Sequence, residues 1–170
     1  KFVFNLSLVA ENFYFNKNYE KSKNVLKNFD RTQDFYYWYR SKKEAQIISK
    51  TINQREGLSY IASKFEKIEK PNNKFIFDIA NFYRNSKKYN QAIEYYSLII
   101  DSLEDDEEVK AEILYRRGGS FERLKDFSKA DRDLKHSLKI NPNDAYVLNY
   151  LAYSWLERDY KINEAIKMLE

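Results

Sequence analysis

Small side chains return along this chain in pairs, at a nearly constant interval. Five pairs occur, each with about twelve residues between its members: Ala10 with Ser22, Ala45 with Gly57, Ala80 with Ala92, Gly118 with Ala130, and Ala152 with Ala165. The units that contain them begin at residues 3, 38, 73, 111 and 145, so the period is 34 to 38 residues. A fixed period of roughly 20 to 50 residues indicates a repeat protein whose units pack on their neighbours.

Each unit has the pattern of an antiparallel pair of α-helices. The chain holds only 3 Gly and 2 Pro, the residues on which tight hairpins and long loops depend, so long helices with short connections are favoured. Small side chains are expected where two helices cross, because a large side chain would separate them. Aromatic residues between the small ones are expected to fill the space between one pair and the next.

The fourth unit shows the motif most completely. Counted from Ala111, it has Gly118 at position 8, Phe121 at 11, Phe127 at 17, Ala130 at 20 and Pro142 at 32. This motif resembles the tetratricopeptide repeat. The resemblance extends over essentially the whole chain. The second unit is the least regular, because Gln54 and Lys64 occupy positions that the motif makes aromatic or small.

The resemblance implies an all-α fold, a right-handed α-solenoid of about five antiparallel helix pairs. We expect a single array over residues 1–170, with repeats near 3–36, 38–71, 73–106, 111–144 and a truncated 145–170. First helices are predicted near 2–16, 34–51, 74–86, 107–124 and 144–157, and second helices near 18–30, 54–69, 89–102, 127–139 and 162–170. Asp126 is a predicted N-cap, as is either Asn143 or Asp144.

Some segments carry a closer resemblance. The sequence from Ile113 to Trp155, together with Tyr36-Tyr37-Trp38, is similar to tetratricopeptide proteins of the alphaproteobacterial envelope. That resemblance implies a bacterial protein of the periplasm or envelope, and related lipoproteins include adaptors that present substrates to a processing protease. The chain starts without Met and ends inside a helical pattern, so we interpret it as a piece of a longer protein.

The residues predicted to bind a partner lie on the first helices. In such a solenoid these helices line the concave surface, and the helical period places positions 2, 5, 9, 12 and 13 of each repeat there. Tyr provides contact area, Asn both donates and accepts hydrogen bonds, and Arg pairs with carboxylates. The predicted peptide-binding residues are Tyr14, Asn81, Arg84, Asn85, Tyr115, Gly119, Arg123, Tyr146, Asn149 and Tyr153.

Two alternatives accompany these assignments. Each aromatic residue in the set has the alternative role of packing against a neighbouring helix. Gly119 is predicted to leave room for a partner's backbone, because a glycine inside a helix otherwise costs roughly 1 kcal/mol relative to Ala. Its alternative role is that of a tolerated, neutral residue.

Composition excludes several kinds of site. The absence of Cys excludes disulfides, thiolate metal sites and a Cys nucleophile, and the single His136 argues against His-based triads. The acidic run from Asp101 to Glu108 lacks the ligand spacing and the turning Gly of an EF-hand. We therefore expect no enzyme activity, no cofactor and no metal site.

The predicted function is that of a scaffold or adaptor that binds a protein or peptide segment in the concave groove. The net charge of +4 is scattered among acidic neighbours, so a nucleic-acid partner is not expected. No apolar run is long enough for membrane insertion. Two alternatives stay open: a module of a larger envelope protein tied to an enzyme, and an RNA-processing helical repeat. Ala165, Ile166 and Leu169 are predicted to form an apolar edge through which the chain self-associates.

Overall fold

The computed structural model describes residues 2–29, 32–103 and 108–170, with side chains from Phe4 onward, and the regular elements in these ranges are all α-helices. They are α1 (Phe2–Phe15), α2 (Tyr19–Leu26), α3 (Asp34–Thr51), α4 (Gln54–Phe65), α5 (Asn73–Asn85), α6 (Tyr89–Ile100), α7 (Glu108–Arg123), α8 (Phe127–Ile140), α9 (Ala145–Leu156) and α10 (Ile162–Leu169). The chain forms two compact units, Lys1–Ser86 and Lys87–Glu170. The predicted all-α fold class is confirmed.

The paired small residues are buried, as the helix-crossing argument predicts. All ten are buried: Ala10, Ser22, Ala45, Gly57, Ala80, Ala92, Gly118, Ala130, Ala152 and Ala165. A Cβ atom on Gly57 of α4 would overlap Ser49 Oγ and lie 2.8 Å from the Ala45 carbonyl oxygen of α3. A Cβ atom on Gly118 of α7 would lie 3.3 Å from the Ala130 carbonyl oxygen of α8. The backbones of these helix pairs therefore approach too closely for larger side chains.

Apolar side chains of α1, α2 and α3 form a core in the N-terminal unit. Its buried members are Ala10, Leu26, Phe29 and Ile47. Further along the unit, the ring of Trp38 on α3 packs against Phe65 of α4 and Phe75 of α5. The distances between ring centroids are 5.6 and 5.5 Å. One aromatic side chain thus contacts rings from both helices that follow α3 in the chain.

The core of the C-terminal unit joins α8, α9 and α10. It consists of Leu134, Val147, Leu151, Ala152, Trp155 and Ala165. Ala165 is fully buried, so the expectation that it belongs to an exposed edge is wrong: its small side chain lets α10 pack closely on α9. Ile166 and Leu169 are exposed, by 45% and 38%.

A guanidinium group connects three helices of the same unit. Arg117 on α7 donates to both carboxylate oxygens of the buried Asp133 on α8, over 2.7 and 3.0 Å. It also donates to Ser97 Oγ on α6 over 3.0 Å. Such a two-pronged contact fixes both position and orientation.

The ends of the helices follow local chemistry. Asp126 accepts a hydrogen bond from the Lys129 backbone N–H over 3.3 Å and so caps α8 as predicted. Asp144, not Asn143, caps α9, since its carboxylate accepts from the Val147 backbone N–H over 3.2 Å.

Two helices end well before their predicted last residue. α2 stops at Leu26 and α4 at Phe65, four residues before their predicted ends. After each helix the backbone hydrogen bonds span three residues instead of four, as in a 3₁₀ turn. Phe29 N–H donates to the Leu26 carbonyl over 3.2 Å, and Ile68 N–H donates to the Phe65 carbonyl over 3.0 Å. This tightening satisfies carbonyl groups that the helix end leaves unpaired.

The turns between paired helices contain lysines in the left-handed backbone region. Lys17, Lys87 and Lys125 have φ angles of 59°, 58° and 62°, and each stands two residues before a second helix. For a residue with a Cβ atom this conformation costs about 1–2 kcal/mol. The turns therefore hold backbone strain that a glycine would not.

Candidate functional site

The first helices of the N-terminal unit lie side by side. Glu11 on α1 forms an ion pair with Lys43 on α3 at 2.5 Å. Asp78 on α5 accepts a hydrogen bond from Trp38 Nε1 (2.9 Å) and pairs with Lys42 Nζ (3.0 Å), both on α3. These charge-assisted links from partly buried side chains fix α1, α3 and α5 as neighbours.

A cavity of about 410 Å³ opens along these three helices. We call it the inner groove; it is lined by Tyr14, Lys42, Gln46, Ser49, Lys50, Gln54, Asp78, Asn81, Phe82 and Asn85. Of the predicted peptide-binding residues in this unit, Tyr14, Asn81 and Asn85 are among them. Arg84 is half-buried on α5 and is not among the residues that line the groove.

Side-chain amides supply much of the polar surface of the inner groove. Gln46, Gln54, Asn81 and Asn85 come from α3, α4 and α5, and each amide carries both donors and an acceptor. The Oε1 atom of Gln46 is buried and has no hydrogen-bond partner among the described residues. A buried acceptor without a partner costs about 1–3 kcal/mol. A donor supplied by a ligand at this point would remove that cost.

Opposite charges in the inner groove partly cancel. The Lys42 ammonium group is held by the Asp78 carboxylate, with distances of 3.1 and 3.0 Å to its two oxygens. Lys50 is exposed at the rim and adds one further positive charge. The groove is therefore close to neutral, and its character is set by amides rather than by ions.

Tyr14 serves both packing and the groove surface. Its ring contacts Tyr19 at 5.7 Å between centroids, and the Lys43 ammonium group lies 5.1 Å from the ring centre. Burial, assisted by the neighbouring Tyr19 and Glu11, raises the pKa of the Tyr14 phenol. The hydroxyl therefore remains a hydrogen-bond donor throughout the neutral pH range.

In the C-terminal unit, α7 and α9 are also neighbours. The ring of Tyr115 packs edge-on against Tyr150 at 5.8 Å, and the Tyr150 hydroxyl donates to Glu122 over 3.0 Å. Tyr115 is thus half-buried by helix packing. Gly119 on α7 is buried, and its role in leaving room for a partner's backbone stays a prediction. Without a side chain to project, its small surface is covered by its surroundings.

α9 presents three of the predicted residues to solvent. Tyr146 and Tyr153 are 80% and 60% exposed, and Asn149 between them is exposed as well. Their spacing of three and four residues places them on one face of the helix, which we call the α9 stripe. Arg123, the last residue of α7, is also exposed. Exposed tyrosines of this kind are typical of protein-contact surfaces.

Two further features bear on function. Within residues 2–29, 32–103 and 108–170, no helix has the length and apolarity needed to cross a membrane. Over the same ranges, no group of three or more His or acidic side chains could hold a metal ion. Residues 104–107 of the acidic run lie outside the described part of the chain.

Comparison with known families agrees with this architecture. The profile of the tetratricopeptide repeat family matches residues 74–102 and 111–144. These two segments coincide with α5 and α6 and with α7 and α8, which are the third and fourth predicted repeats. The chain contains tetratricopeptide repeats.

Solved structures of tetratricopeptide repeat proteins named MamA share the fold. MamA 41-end from Desulfovibrio magneticus RS-1 has a TM-score of 0.73 and 10% identity, covering 96% of this chain and 91% of its own. MamA AMB-1 has a TM-score of 0.65 and 17% identity, covering 98% of this chain and 94% of its own. Identities this low show a common fold and nothing more specific. No curated protein sequence matches the chain.

The tetratricopeptide motif alone did not identify every residue of the inner groove. Gln54, Asp78 and Phe82 do not occupy positions 2, 5, 9, 12 or 13 of a repeat, so they were not expected there. Asp78 had a signal of its own, because it is the one charge in the apolar stretch 75–80 and a charge in such a stretch requires a partner. Gln54 and Phe82 carry no comparable mark in the sequence.

Proposed function

We propose that this tetratricopeptide repeat protein is a non-enzymatic scaffold whose inner groove holds an extended segment of a partner protein. The observation that carries the proposal is the convergence of four side-chain amides from three helices in a cavity of about 410 Å³. An extended segment exposes backbone N–H and C=O groups at every residue except proline, and these need hydrogen-bond partners wherever water is displaced. Side-chain amides satisfy both kinds of group.

The lining of the groove indicates what segment it would accept. Tyr14 and Phe82 offer aromatic surface next to the amides, which favours an apolar or aromatic side chain at that point. The Lys42–Asp78 pair is already internally satisfied, so it gives little net attraction to a charged ligand. The preferred segment is therefore largely uncharged, with an acidic residue tolerated beside Lys50.

The α9 stripe gives the C-terminal unit a contact surface of its own. Tyr146 and Tyr153 expose large rings at a low cost in side-chain entropy, and Asn149 lies between them with a donor and an acceptor. We include Arg123 in this surface because it is exposed at the end of the neighbouring α7. The stripe would contact a folded partner or a second part of the same segment.

Selection from a random peptide library displayed on phage, against the immobilised chain, tests the inner groove. Affinities of the selected peptides are then measured by fluorescence anisotropy for the wild type and for the double variant Gln46→Ala/Asn81→Ala. Loss of two hydrogen bonds of about 1 kcal/mol each predicts a weakening of roughly 30-fold. The matched control is Asn5→Ala/Gln91→Ala, which removes two exposed amides outside the groove.

Two results would contradict the proposal. One is a library that yields no binder. The other is a set of peptides whose affinity is unchanged by Gln46→Ala/Asn81→Ala while the control behaves as the wild type. Selected peptides that respond only to Tyr146→Ala/Tyr153→Ala would move the function from the inner groove to the α9 stripe.

A further inference from the structure

A second cavity lies on the other side of α3. It has a volume of about 340 Å³, and its lining, which we call the basic pocket, consists of Lys23, Lys27, Tyr37, Arg40, Ser41, Glu44, Ile48, Tyr60 and Lys64. At 100° per residue, the five α3 members of this set lie on the face opposite Lys42, Gln46, Ser49 and Lys50 of the inner groove. The two cavities are therefore separate sites in the same unit.

The floor of the basic pocket is held in place by its own contacts. Arg40 is buried, and its Nε atom donates to Glu44 over 2.9 Å. The hydroxyl of Tyr60 on α4 donates to the other oxygen of the same carboxylate. The Tyr37 hydroxyl donates to the Lys64 backbone carbonyl over 3.5 Å, which is a further link between α3 and α4. Each charged or phenolic group of the floor thus has a fixed position before any ligand arrives.

The rims of the pocket carry an excess of positive charge. Lys23 stands on α2 and Lys27 directly follows it as the C-cap. Lys64 stands on α4, with its ammonium group 4.9 Å from the Tyr60 ring centre. Lys27 donates to the neutral Asn24 over 2.9 Å. With Arg40 included, four cations face the single carboxylate of Glu44. Outside the lining, the largely exposed Glu20 lies 3.2 Å from Lys23, and exposed pairs of this kind contribute little.

We propose that the basic pocket binds an acidic segment of a partner protein, in extended conformation along α2. Lys27 keeps the helical backbone conformation and its N–H bonds to the Lys23 carbonyl, so the two lysines lie about 6 Å apart along the axis of α2. Alternate residues of an extended peptide point to the same side and are about 6.6–7 Å apart. Two carboxylates separated by one residue therefore face the two lysines, and the third cation, Lys64, reaches the segment from the opposite rim.

The Glu44 carboxylate favours a peptide over a nucleic acid. Its fixed negative charge in the floor repels a ligand with a phosphate on every unit. A peptide has backbone N–H donors between its acidic side chains, and these donors can point towards Glu44. A cavity of about 340 Å³ also accepts a few side chains and not a stretch of nucleotides.

Fluorescence anisotropy with a labelled octapeptide of alternating glutamate and serine tests the proposal on the full chain. We expect saturable binding that Lys23→Glu/Lys27→Glu weakens at least about tenfold, because two attractive contacts become repulsive. Lys67→Glu/Lys70→Glu changes the net charge equally at two exposed lysines outside the pocket, and it should change the affinity by less than about threefold. Lys64→Gln, which alters the opposite rim, should also weaken binding.

Several outcomes would overturn the acidic-segment site. One is the absence of binding between the wild type and the Glu–Ser peptide. Another is an octapeptide of alternating glutamine and serine that binds as tightly as the Glu–Ser peptide. Equal losses in the two double variants would indicate attraction by net charge alone. Tighter binding of an eight-nucleotide uridine RNA, abolished by Lys23→Glu/Lys27→Glu, would make the pocket a nucleic-acid site. The inner-groove variants leave these lysines unchanged, so the two proposals fail independently.

Discussion

Replacement of Gly57 by alanine tests the closest helix crossing in the N-terminal unit. Inside a helix, Gly→Ala alone is expected to stabilise by about 1 kcal/mol. Here the added Cβ atom would overlap Ser49 Oγ, and it would lie 2.8 Å from the Ala45 carbonyl oxygen and 2.9 Å from Ser49 Cβ. The hydroxyl of a side chain can rotate away, but a helix backbone must move.

Overpacking of a close crossing costs typically about 1–3 kcal/mol and outweighs the gain in helix propensity, so we expect Gly57→Ala to destabilise by about 1–2 kcal/mol. The free energy of unfolding is measured by urea titration, with circular dichroism for the whole chain and fluorescence for the tryptophans. Trp38 reports on this unit because it packs between Phe65 and Phe75. The matched control is Ser59→Ala at an exposed position of α4, which should be neutral or slightly stabilising.

A double variant separates the two sources of the clash. Ser49 Oγ has no hydrogen-bond partner among the described residues, so Ser49→Ala alone should cost little. In Ser49→Ala/Gly57→Ala the overlap with the hydroxyl disappears while the contacts with Ala45 and the residue 49 Cβ remain, so part of the loss persists. A Gly57→Ala protein that gains the full 1 kcal/mol expected from propensity would refute the close approach of α3 and α4.

Two further predictions concern the turn before α8. Lys125→Gly should stabilise the chain by about 1 kcal/mol, because glycine relieves the left-handed backbone strain at φ 62°. The control Lys129→Gly, inside α8, should destabilise the chain by a similar amount. Both are measured by thermal unfolding, and equal effects of the two substitutions would contradict the strain argument. The side-chain hydrogen bond from Lys129 holds the pKa of Asp126 below its ordinary value. The ionised carboxylate therefore stabilises the fold at a pH above its ordinary pKa, and this stabilisation is lost as the pH falls through the lowered pKa. Asp126→Asn should therefore lower the melting temperature at pH 7 and have no effect at a pH below the lowered pKa. A difference that persists in acid would contradict this assignment.

The spacing of small residues was sufficient to predict the helix pairs. Ala45 and Gly57, or Gly118 and Ala130, can be recognised in the sequence because a helix crossing admits nothing larger. The early ends of α2 and α4 were not predictable in this way, since Phe29 and Ile68 are apolar and buried and so continue the hydrophobic pattern after the helix has stopped. Burial and helical structure are different properties, and the pattern reports only the first.

The candidate sites were predictable only in part. Tyr14, Asn81 and Asn85 were all predicted from their position within the repeat, and they line one groove because the helical period determines which face a residue occupies. It could not show that Gly119 is buried, because the pattern reports the position of a residue on the helix and not the surroundings of that position. The basic pocket was missed because Lys27 and Lys64 are far apart in sequence and lie at the end of second helices, which the concave-face argument leaves out.

The pairing of Lys42 with Asp78 distinguishes the two faces of α3 by their response to ionic strength. Screening shortens the reach of charges from about 8 Å in physiological salt to about 3 Å in 1 M salt, and it hardly affects contacts between neutral amides. At high salt concentration an acidic ligand would therefore dissociate from Lys23 and Lys27, while a neutral segment would stay bound beside Gln46. If both proposals hold, a high salt concentration releases the ligand on one face of α3 and leaves the ligand on the opposite face bound.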